Sequence, residues 1–567
     1  MHLKRVSNPP RRIGITCRHP AKGLAAEAVR PALSIGGSLR REVTAPRTTP
    51  SDPRPAAPVP MLFKKIFLSS AAGMLDQVVL IISTFLVSPV LIHGLGEKEY
   101  GLWLLVFSIT NYLNFLDLGI RGTAVRFLGA AMGSGRPGEL AASFSTFRTF
   151  YLRAGAFIFL LSGATWAAPA LLSLAADTER LLRLVGIAGT LIGISFLFRV
   201  YPSILRASIN YHRIVLITSG RIILFTTAVL LLKTQLTILN LLGIHAGLIL
   251  LEQAALYFAA RPYVPSRTTI AEGTASPDIG HIVRHTGNNI LLLIAEMFRW
   301  NVDTQIAARN LGLASVTQLG IGLRIPMIFY QFVTAIFGSQ FVAAFSQLSN
   351  THDPRSRTRL LEASLRISTA TCFAIALSIF FVTPSFIERW LGAGFDEAIL
   401  FTRIVILPAG ILWGLAPPLV NYLVAESRHG GMARGILVLS GIHIVMSLIL
   451  SKTHGLHGIA FALALEFVLL ALCVAISASH HSGLSFLRII RLSFASPVLL
   501  GAVLVLPLHE IVRAIDPENY PTIIAAGAIV FAPTTICAGF LLLDRRTRQL
   551  LLERLRSMRF SPSGETD

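Results

Sequence analysis

The amino-acid sequence predicts an all-α polytopic membrane protein of about fourteen transmembrane helices, built as two parallel six-helix lobes plus two C-terminal helices. Hydrophobic residues make up 53% of its 567 residues, charged residues only 14%, and the mean hydropathy is +0.65. A soluble protein carries roughly 25% charged residues and has too little core to bury so much apolar surface. The apolar residues also recur in runs long enough to cross a hydrocarbon core about 30 Å thick. These observations exclude a soluble enzyme.

The apolar runs and the stretches between them predict the domain organisation. The runs lie at 66–93, 100–130, 141–172, 182–208, 212–232, 236–260, 281–308, 315–348, 359–385, 397–424, 433–450, 456–478, 490–512 and 521–543. We therefore expect an N-terminal six-helix lobe at 61–260, a cytoplasmic linker at 261–280 and a C-terminal six-helix lobe at 281–480. Two additional transmembrane helices at 481–545 and a basic cytoplasmic tail at 546–567 follow.

Residues 1–60 differ in composition from the rest of the chain. They hold eleven Lys and Arg residues against three acidic residues, with many prolines and no apolar run. A signal peptide is excluded because no apolar segment follows the basic start. Two interpretations are open: a disordered basic tail, or a wrongly chosen start codon, because Met61 leads directly into the first helix. We predict the second interpretation, in which Met61 is the start.

Charge in the connections predicts the orientation. Alternate connections hold 18 and 8 Lys/Arg residues, and cytoplasmic loops carry the excess. The richer side comprises Lys64, Lys65, Arg136, Arg206, Arg213, Arg261, Arg267, Arg284, Arg355, Arg357, Arg359, Arg428, Arg434, Arg488, Arg491, Arg545, Arg546 and Arg548. We expect both termini to be cytoplasmic, with the chain in the bacterial inner membrane.

The net charge and the cysteines give no sign of other functions. In a soluble protein a charge of +21 would suggest a nucleic-acid partner, but here the basic loops explain it, and no nucleic acid is expected. The four cysteines are not spaced as pairs, so no metal site is predicted. No connection is long enough for a catalytic domain; we expect no catalytic residues and no cofactor.

Weak sequence similarities between the two lobes predict that they are repeats. Leu95-Gly96 ends the first apolar run and Leu311-Gly312 ends the seventh, and Glu252 and Glu466 follow apolar runs in the sixth and twelfth. Six helices in each lobe mean that both lobes start on the same side. Such parallel repeats are related by an axis along the membrane normal, with substrate held between the lobes.

The seventh run carries the strongest candidate site. Asn289, Glu296, Asp303 and Asn310 are spaced by seven residues, and Arg299 lies between the two acids. These spacings put the residues on one helical face. An ionisable group at a helix centre costs about 2.5–3.5 kcal/mol on insertion scales, so we expect this face to line a polar cavity. The alternative is a self-neutralised Glu-Arg-Asp ladder.

The first and second runs hold further charges. Asn114, Asp117 and Arg121 form a stripe in the second run, and we expect Asp117 and Arg121 to be a structural ion pair. Asp76 in the first run has no local basic partner. It is either an ion-coupling carboxylate or the partner of an arginine on another helix.

Three arginines and two glutamates complete the candidates. Arg199 lies deep in the fourth run, and Arg126 and Arg324 lie in or near the second and eighth. All three are candidates for binding an anionic substrate, but Arg126 and Arg324 could face lipid headgroups instead. Glu252 and Glu466 are ion-coupling candidates that could instead only bond neighbouring helices.

Residues 95–128 read LGEKEYGLWLLVFSITNYLNFLDLGIRGTAVRFL. Its LG-x-x-x-YG-LW turn and LDLG-x-x-x-x-x-VRF run resemble the polysaccharide flippase family of Wzx-like O-antigen and exopolysaccharide transporters. This family belongs to the multidrug/oligosaccharidyl-lipid/polysaccharide exporter superfamily. Weaker matches begin at Arg389 and Gly455, and the resemblance spans about residues 61–480.

The resemblance implies a V-shaped bundle of two lobes that moves undecaprenyl-diphosphate-linked oligosaccharides to the outer leaflet by alternating access. The expected partners are then the lipid-linked oligosaccharide, membrane lipids, and polysaccharide polymerase and glycosyltransferases. A diphosphate needs bidentate donors to cross hydrocarbon. Arg299 is the first candidate for binding the diphosphate, and Arg199, Arg126 and Arg324 are lesser candidates. Glu296 and Asp303 are expected to line the same substrate cavity.

The main alternative is a cation-coupled exporter of drugs or metabolites with the same fold, in which Asp76 would bind sodium or a proton. A membrane glycosyltransferase or polymerase needs catalytic acids on a sizeable loop or domain, and the sequence has none.

Overall fold

The computed structural model describes residues 59–117, 120–171, 174–266, 279–337, 345 and 354–542. The expectations for residues 1–58 and 546–567 and for most of the 261–280 linker lie outside these ranges. All regular structure in the described residues is helical, which confirms the predicted class.

In the described residues, eight helices precede the linker: α1 (Val59–Leu95), α2 (Glu97–Asn111), α3 (Ile120–Gly133), α4 (Pro137–Leu171), α5 (Ala176–Phe198), α6 (Val200–Ala207), α7 (Tyr211–Leu231) and α8 (Ile238–Ala260). The described residues after it form eight more: α9 (Ile279–Asn310), α10 (Leu313–Phe337), α11 (Pro354–Leu391), α12 (Asp396–Ala425), α13 (Gly430–Ser479), α14 (Phe486–Ile490), α15 (Ser496–Ile515) and α16 (Tyr520–Leu542). A 3₁₀ turn follows α2 (Tyr112–Asp117) and another follows α8 (Arg261–Tyr263), and a π-helical turn (Arg491–Ala495) joins α14 to α15.

Eleven of the described helical segments are long and apolar enough to cross a bilayer. One of them, α13, contains two spans, because Gly455 adopts a non-helical conformation (φ 60°, ψ −139°) and the chain turns back there. The reversal brings the Ser440 hydroxyl to 2.9 Å from the Glu466 carboxylate. With α9 and α15 in the same bundle, the predicted number of about fourteen transmembrane helices is reached.

Two expected continuous helices are broken. The second apolar run is divided into α2, the 3₁₀ turn and α3, so Asn114, Asp117 and Arg121 do not share one uninterrupted helical face. The fourth run is interrupted between α5 and α6 at Arg199. Both breaks fall at charged residues that contact each other, as described below.

The same helix pairing occurs before and after the linker. Helix α1 packs on α7 as α9 packs on the first half of α13, and α2 packs on α5 as α10 packs on α12. Gly96 and Gly312 make the equivalent turns, with φ of 83° and 95°. This pairing confirms two parallel six-helix lobes. Helices α15 and α16 pack together against α11.

The two lobes meet where α2 packs on α9 and α10. In the first turn of α2, the Glu97 carbonyl oxygen accepts a hydrogen bond from the Thr317 hydroxyl at 2.6 Å. The Phe85 carbonyl oxygen of α1 accepts one from the Trp390 indole of α11 at 2.8 Å. A buried apolar cluster at this end combines residues of both lobes, including Leu91, Ile321 and Trp390. We call this end the closed end of the bundle.

Candidate functional site

Asp117 is the centre of a polar cluster in the N-terminal lobe. Its carboxylate lies 2.9 Å from the Arg199 guanidinium and 3.0 Å from that of Arg121, and it accepts a hydrogen bond from the Tyr151 hydroxyl at 3.1 Å. Arg199 also donates to Asn114 and stacks on the Phe196 ring at 3.7 Å. The expected pair of Asp117 and Arg121 is present, but Arg199 is the more buried partner, with 12% of its side chain exposed against 45% for Arg121. Arg199 is therefore engaged within its own lobe.

A chain of asparagines links this cluster to the other lobe. Asn114 donates to the Asn111 side-chain oxygen at 3.1 Å, and Asn111 donates to that of Asn301 in α9 at 3.2 Å. Asn301 is buried and donates in turn to the Met297 carbonyl oxygen. The hydrogen bonds thus cross the boundary between the lobes close to the break after α2.

The C-terminal lobe contains a buried cluster of four ionisable side chains. The Arg299 guanidinium lies 3.2 Å from the Glu466 carboxylate, which also accepts from Ser440. The His443 imidazole lies between Glu466, at 3.5 Å, and Asp303, at 3.1 Å. Asp303 accepts a further hydrogen bond from Ser447 at 2.8 Å. All four side chains are at most 11% exposed.

This cluster changes the interpretation of the seventh-run face. The Glu296–Arg299–Asp303 ladder does not form, because Arg299 pairs with Glu466, Asp303 contacts His443 and Ser447, and Glu296 accepts from the Tyr330 hydroxyl at 2.5 Å. Asp303 is 1% exposed and lies between α9 and α13. The face packs into its own lobe because two other helices, α10 and both spans of α13, supply polar partners for it.

The N-terminal lobe holds two separate carboxylate sites. Asp76 accepts hydrogen bonds from Ser219 at 2.7 Å and Thr218 at 3.2 Å, and it makes no ion pair with any described residue. Glu252 lies 3.0 Å from the Arg221 guanidinium in α7. Glu252 and Glu466 thus each bond an arginine of another helix, whereas Asp76 is held by hydroxyl groups.

Arg324 occupies the seam between the lobes. A Cβ atom at Gly101 of α2 would lie 1.9 Å from the Leu313 carbonyl oxygen, and one at Gly320 would lie 2.3 Å from Leu104. The positions on α10 that face α2 are therefore Leu313, Thr317 and Gly320, and Arg324 continues this spacing of three and four residues.

The Arg324 side chain is half-buried and makes no hydrogen bond or ion pair with any described residue. Its α-carbon lies about 16 Å along α10 from Leu313, at a rise of about 1.5 Å per residue. That distance is near the middle of a hydrocarbon core about 30 Å thick. Arg126 is exposed on α3.

Sequence reasoning missed several partners of these residues. His443 was the clearest omission: it lies in an apolar run, and Ser440 and Ser447 stand three and four residues away on the same helical face. Tyr151, Tyr330 and Arg221 gave no comparable local pattern, because their partners lie on other helices.

Known structures show where this fold occurs. A lipid II flippase, MurJ, in an inward closed conformation matches with a TM-score of 0.61 at 14% sequence identity, covering 86% of this chain and 100% of that one. An inward-facing multidrug resistance MATE family transporter of the MOP superfamily matches with a TM-score of 0.51 at 13% identity, covering 72% of this chain and 95% of that one. No family model and no curated protein matches the chain.

At these identities the likeness shows the fold. The chain is a multi-pass helical membrane protein whose fold is similar to that of these two solved structures. Its predicted place in the polysaccharide flippase family remains a prediction.

Proposed function

We propose that the protein is a flippase that moves undecaprenyl-diphosphate-linked oligosaccharide repeat units to the outer leaflet by alternating access. The observation that carries this proposal is Arg324: a half-buried arginine in mid-membrane, on the seam between the lobes, without a partner among the described residues. A cation at a helix centre costs about 2.5–3.5 kcal/mol on insertion scales. An anionic substrate in a polar space between the lobes would offset this cost.

The diphosphate fits the chemistry of Arg324. A planar guanidinium binds phosphate through two parallel hydrogen bonds, which an ammonium group cannot reproduce. Arg126 of α3, which is exposed, provides further positive charge in the N-terminal lobe. Arg299 and Arg199 are already bound to carboxylates, so we now place them behind Arg324 as candidate substrate contacts.

The position of Arg324 also fits alternating access. The close contacts of α2 and α10 include Leu313 and Gly320, and Gly320 lies one helical turn before Arg324. Rocking of the lobes about this seam would expose Arg324 first to one side and then to the other. A bound diphosphate could thus cross with the arginine while its prenyl chain stays in lipid.

The test is substrate transport by variants of Arg324. Because a charge-assisted hydrogen bond contributes about 1.5–3 kcal/mol, Arg324→Ala should lower flipping of a lipid-linked oligosaccharide by at least about tenfold. Arg324→Lys should restore only part of the activity. Flipping is measured in proteoliposomes, with protein amount and insertion measured in parallel.

Arg403→Ala is the matched control. Arg403 is another half-buried membrane arginine, but it stacks on Phe380 at 4.4 Å, on the side of α12 that faces α11. This variant should keep its flipping activity. If Arg324→Ala flips the substrate at the wild-type rate, the proposed function loses the observation that supports it.

A cation-coupled exporter of drugs or metabolites is the second candidate function. Asp76 favours it, because this carboxylate is bound by two hydroxyl groups and no arginine among the described residues. Glu252 and Glu466 are weaker candidates for ion coupling, since each already pairs with an arginine. Export of a cationic dye that requires Asp76 and is unaffected by Arg324→Ala would support this second function.

The cellular setting follows from the proposed function. We expect an inner-membrane protein with cytoplasmic termini that acts beside glycosyltransferases and a polysaccharide polymerase of an O-antigen or exopolysaccharide pathway.

A further inference from the structure

A pocket of about 590 Å³ lies at the closed end of the N-terminal lobe, apart from the seam. It is formed where α1 ends, where α2, α5 and α8 begin, and beside the last turns of α4. Its lining residues are Leu95, Glu99, Trp166, Arg180, Arg183, Leu184, Ile187, Leu236, Thr237, Ile238 and Leu239.

Glu99, Arg180 and Arg183 are the charged residues of this lining, and both arginines are ion-paired. The Arg180 guanidinium binds the Glu99 carboxylate through two hydrogen bonds of 2.7 Å, and Arg183 lies 2.5 Å from Glu179. Each partner keeps between 35% and 53% of its side chain exposed. Glu179 is not part of the lining but neutralises Arg183, so the two pairs together carry no net charge.

The rest of the pocket is apolar and continues to the outer surface of the bundle. Leu184, Ile187 and Ile238 form its wall, and Leu239 and Trp166 are 64% and 55% exposed. Tryptophan is enriched at the level of lipid headgroups, and the helix ends around the pocket place it at that level.

We propose that this pocket binds one zwitterionic glycerophospholipid of the phosphatidylethanolamine class. The lipid phosphate would contact Arg180 and Arg183, its ammonium group would contact Glu99, and its acyl chains would leave along Trp166 and Leu239. Ion pairs without net charge suit a neutral headgroup that carries both charges, whereas an anionic headgroup would meet the Glu99 carboxylate. The aliphatic wall favours a lipid over a sugar. The inference is independent of the proposed function.

The test is native mass spectrometry of the full-length protein purified from vesicles with equal amounts of phosphatidylethanolamine and phosphatidylglycerol. The wild type should retain phosphatidylethanolamine selectively. Glu99→Gln/Arg180→Gln should lower its retention by at least about tenfold, because charge-assisted hydrogen bonds are lost. Leu239→Trp, which narrows the mouth of the pocket and leaves both ion pairs in place, should do the same.

Arg136→Gln/Glu139→Gln is the matched control, since this exposed pair has the same 2.7 Å contact at the junction of α3 and α4. It should bind the lipid as the wild type does. Equal retention of both lipids, equal loss in the control, or unchanged binding in both pocket variants would each overturn the proposal. Displacement of the lipid by soluble maltotetraose would also overturn it and assign the pocket to a sugar.

Discussion

At the scale of single residues, sequence spacing predicted which side chains share a face but not what they contact. Glu296, Arg299 and Asp303 do lie on one side of α9, yet each finds its partner on another helix. Arg299 pairs with Glu466, which is 167 positions away in the chain. Local periodicity cannot contain such information, because helix packing determines which distant carboxylate is nearest.

The Arg299–Glu466 pair allows a prediction about stability. Glu466 has no exposed side-chain surface, so Arg299→Ala should leave a buried carboxylate without its arginine, with only Ser440 and the His443 ring beside it. Breaking a buried pair in this way costs about 3–5 kcal/mol. We expect lower protein levels in the membrane and a lower unfolding temperature in detergent.

Glu466→Gln added to Arg299→Ala should recover much of this loss, because the unpaired charge is removed. Arg136→Ala, in an exposed ion pair, is the control and should leave the unfolding temperature unchanged. Normal stability of Arg299→Ala, combined with loss of flipping, would instead return Arg299 to the substrate site.

At the scale of helices, apolar runs predicted the elements well and their breaks poorly. Residues 112–117 read YLNFLD and contain no glycine or proline, yet they form a 3₁₀ turn between α2 and α3. Asp117 at the end of this turn is bonded to Arg199, where α5 also ends. Tertiary contacts between charged groups accompany both breaks, which explains why propensity alone gave continuous helices.

The seam of α2 and α10 gives a prediction at this scale. Gly101→Ala would place a Cβ atom 1.9 Å from the Leu313 carbonyl oxygen, so α2 and α10 must separate. Such overpacking typically costs about 1–3 kcal/mol. The native side chain at position 317 is fully buried. A cysteine there should then react with a water-soluble maleimide at least about tenfold faster, because a contact weakened by about 1.4 kcal/mol opens about ten times more often.

Gly122→Ala and Gly133→Ala are the controls, because nothing lies within 4 Å of a Cβ atom at either position. Neither should change the reactivity of the cysteine at position 317. An unchanged rate in Gly101→Ala would show that the contact between the two helices is looser than described.

At the scale of the whole molecule, the two lobes resemble each other more clearly in their helix contacts than in their sequences. Asp76 and Ser219, 143 positions apart, join α1 to α7, and Asp303 and Ser447, 144 positions apart, join α9 to α13. The sequence similarity between the lobes is limited to the Leu-Gly turns and two glutamates. A repeat keeps its helix pairing even where the polar residues that join the helices occupy different positions in the two copies. The number of spans and the parallel repeat were therefore predictable, and the contacts inside each lobe were not.

The orientation of the whole bundle is the remaining prediction from charge. If the basic connections face the cytoplasm, the junctions of α3–α4 and α13–α14 are inside, whereas those of α7–α8 and α11–α12 are outside. In a chain with its four cysteines replaced, single cysteines are placed at Ser134 and His480 for the inner side and at Gln235 and Ala393 for the outer side. All four positions are exposed.

A membrane-impermeant maleimide added to intact cells with a permeabilised outer membrane should label positions 235 and 393 only. Lysis of the inner membrane should add positions 134 and 480. The reverse pattern would invert the bundle and place the closed end in the cytoplasm, and a mixed pattern would show that one span was miscounted.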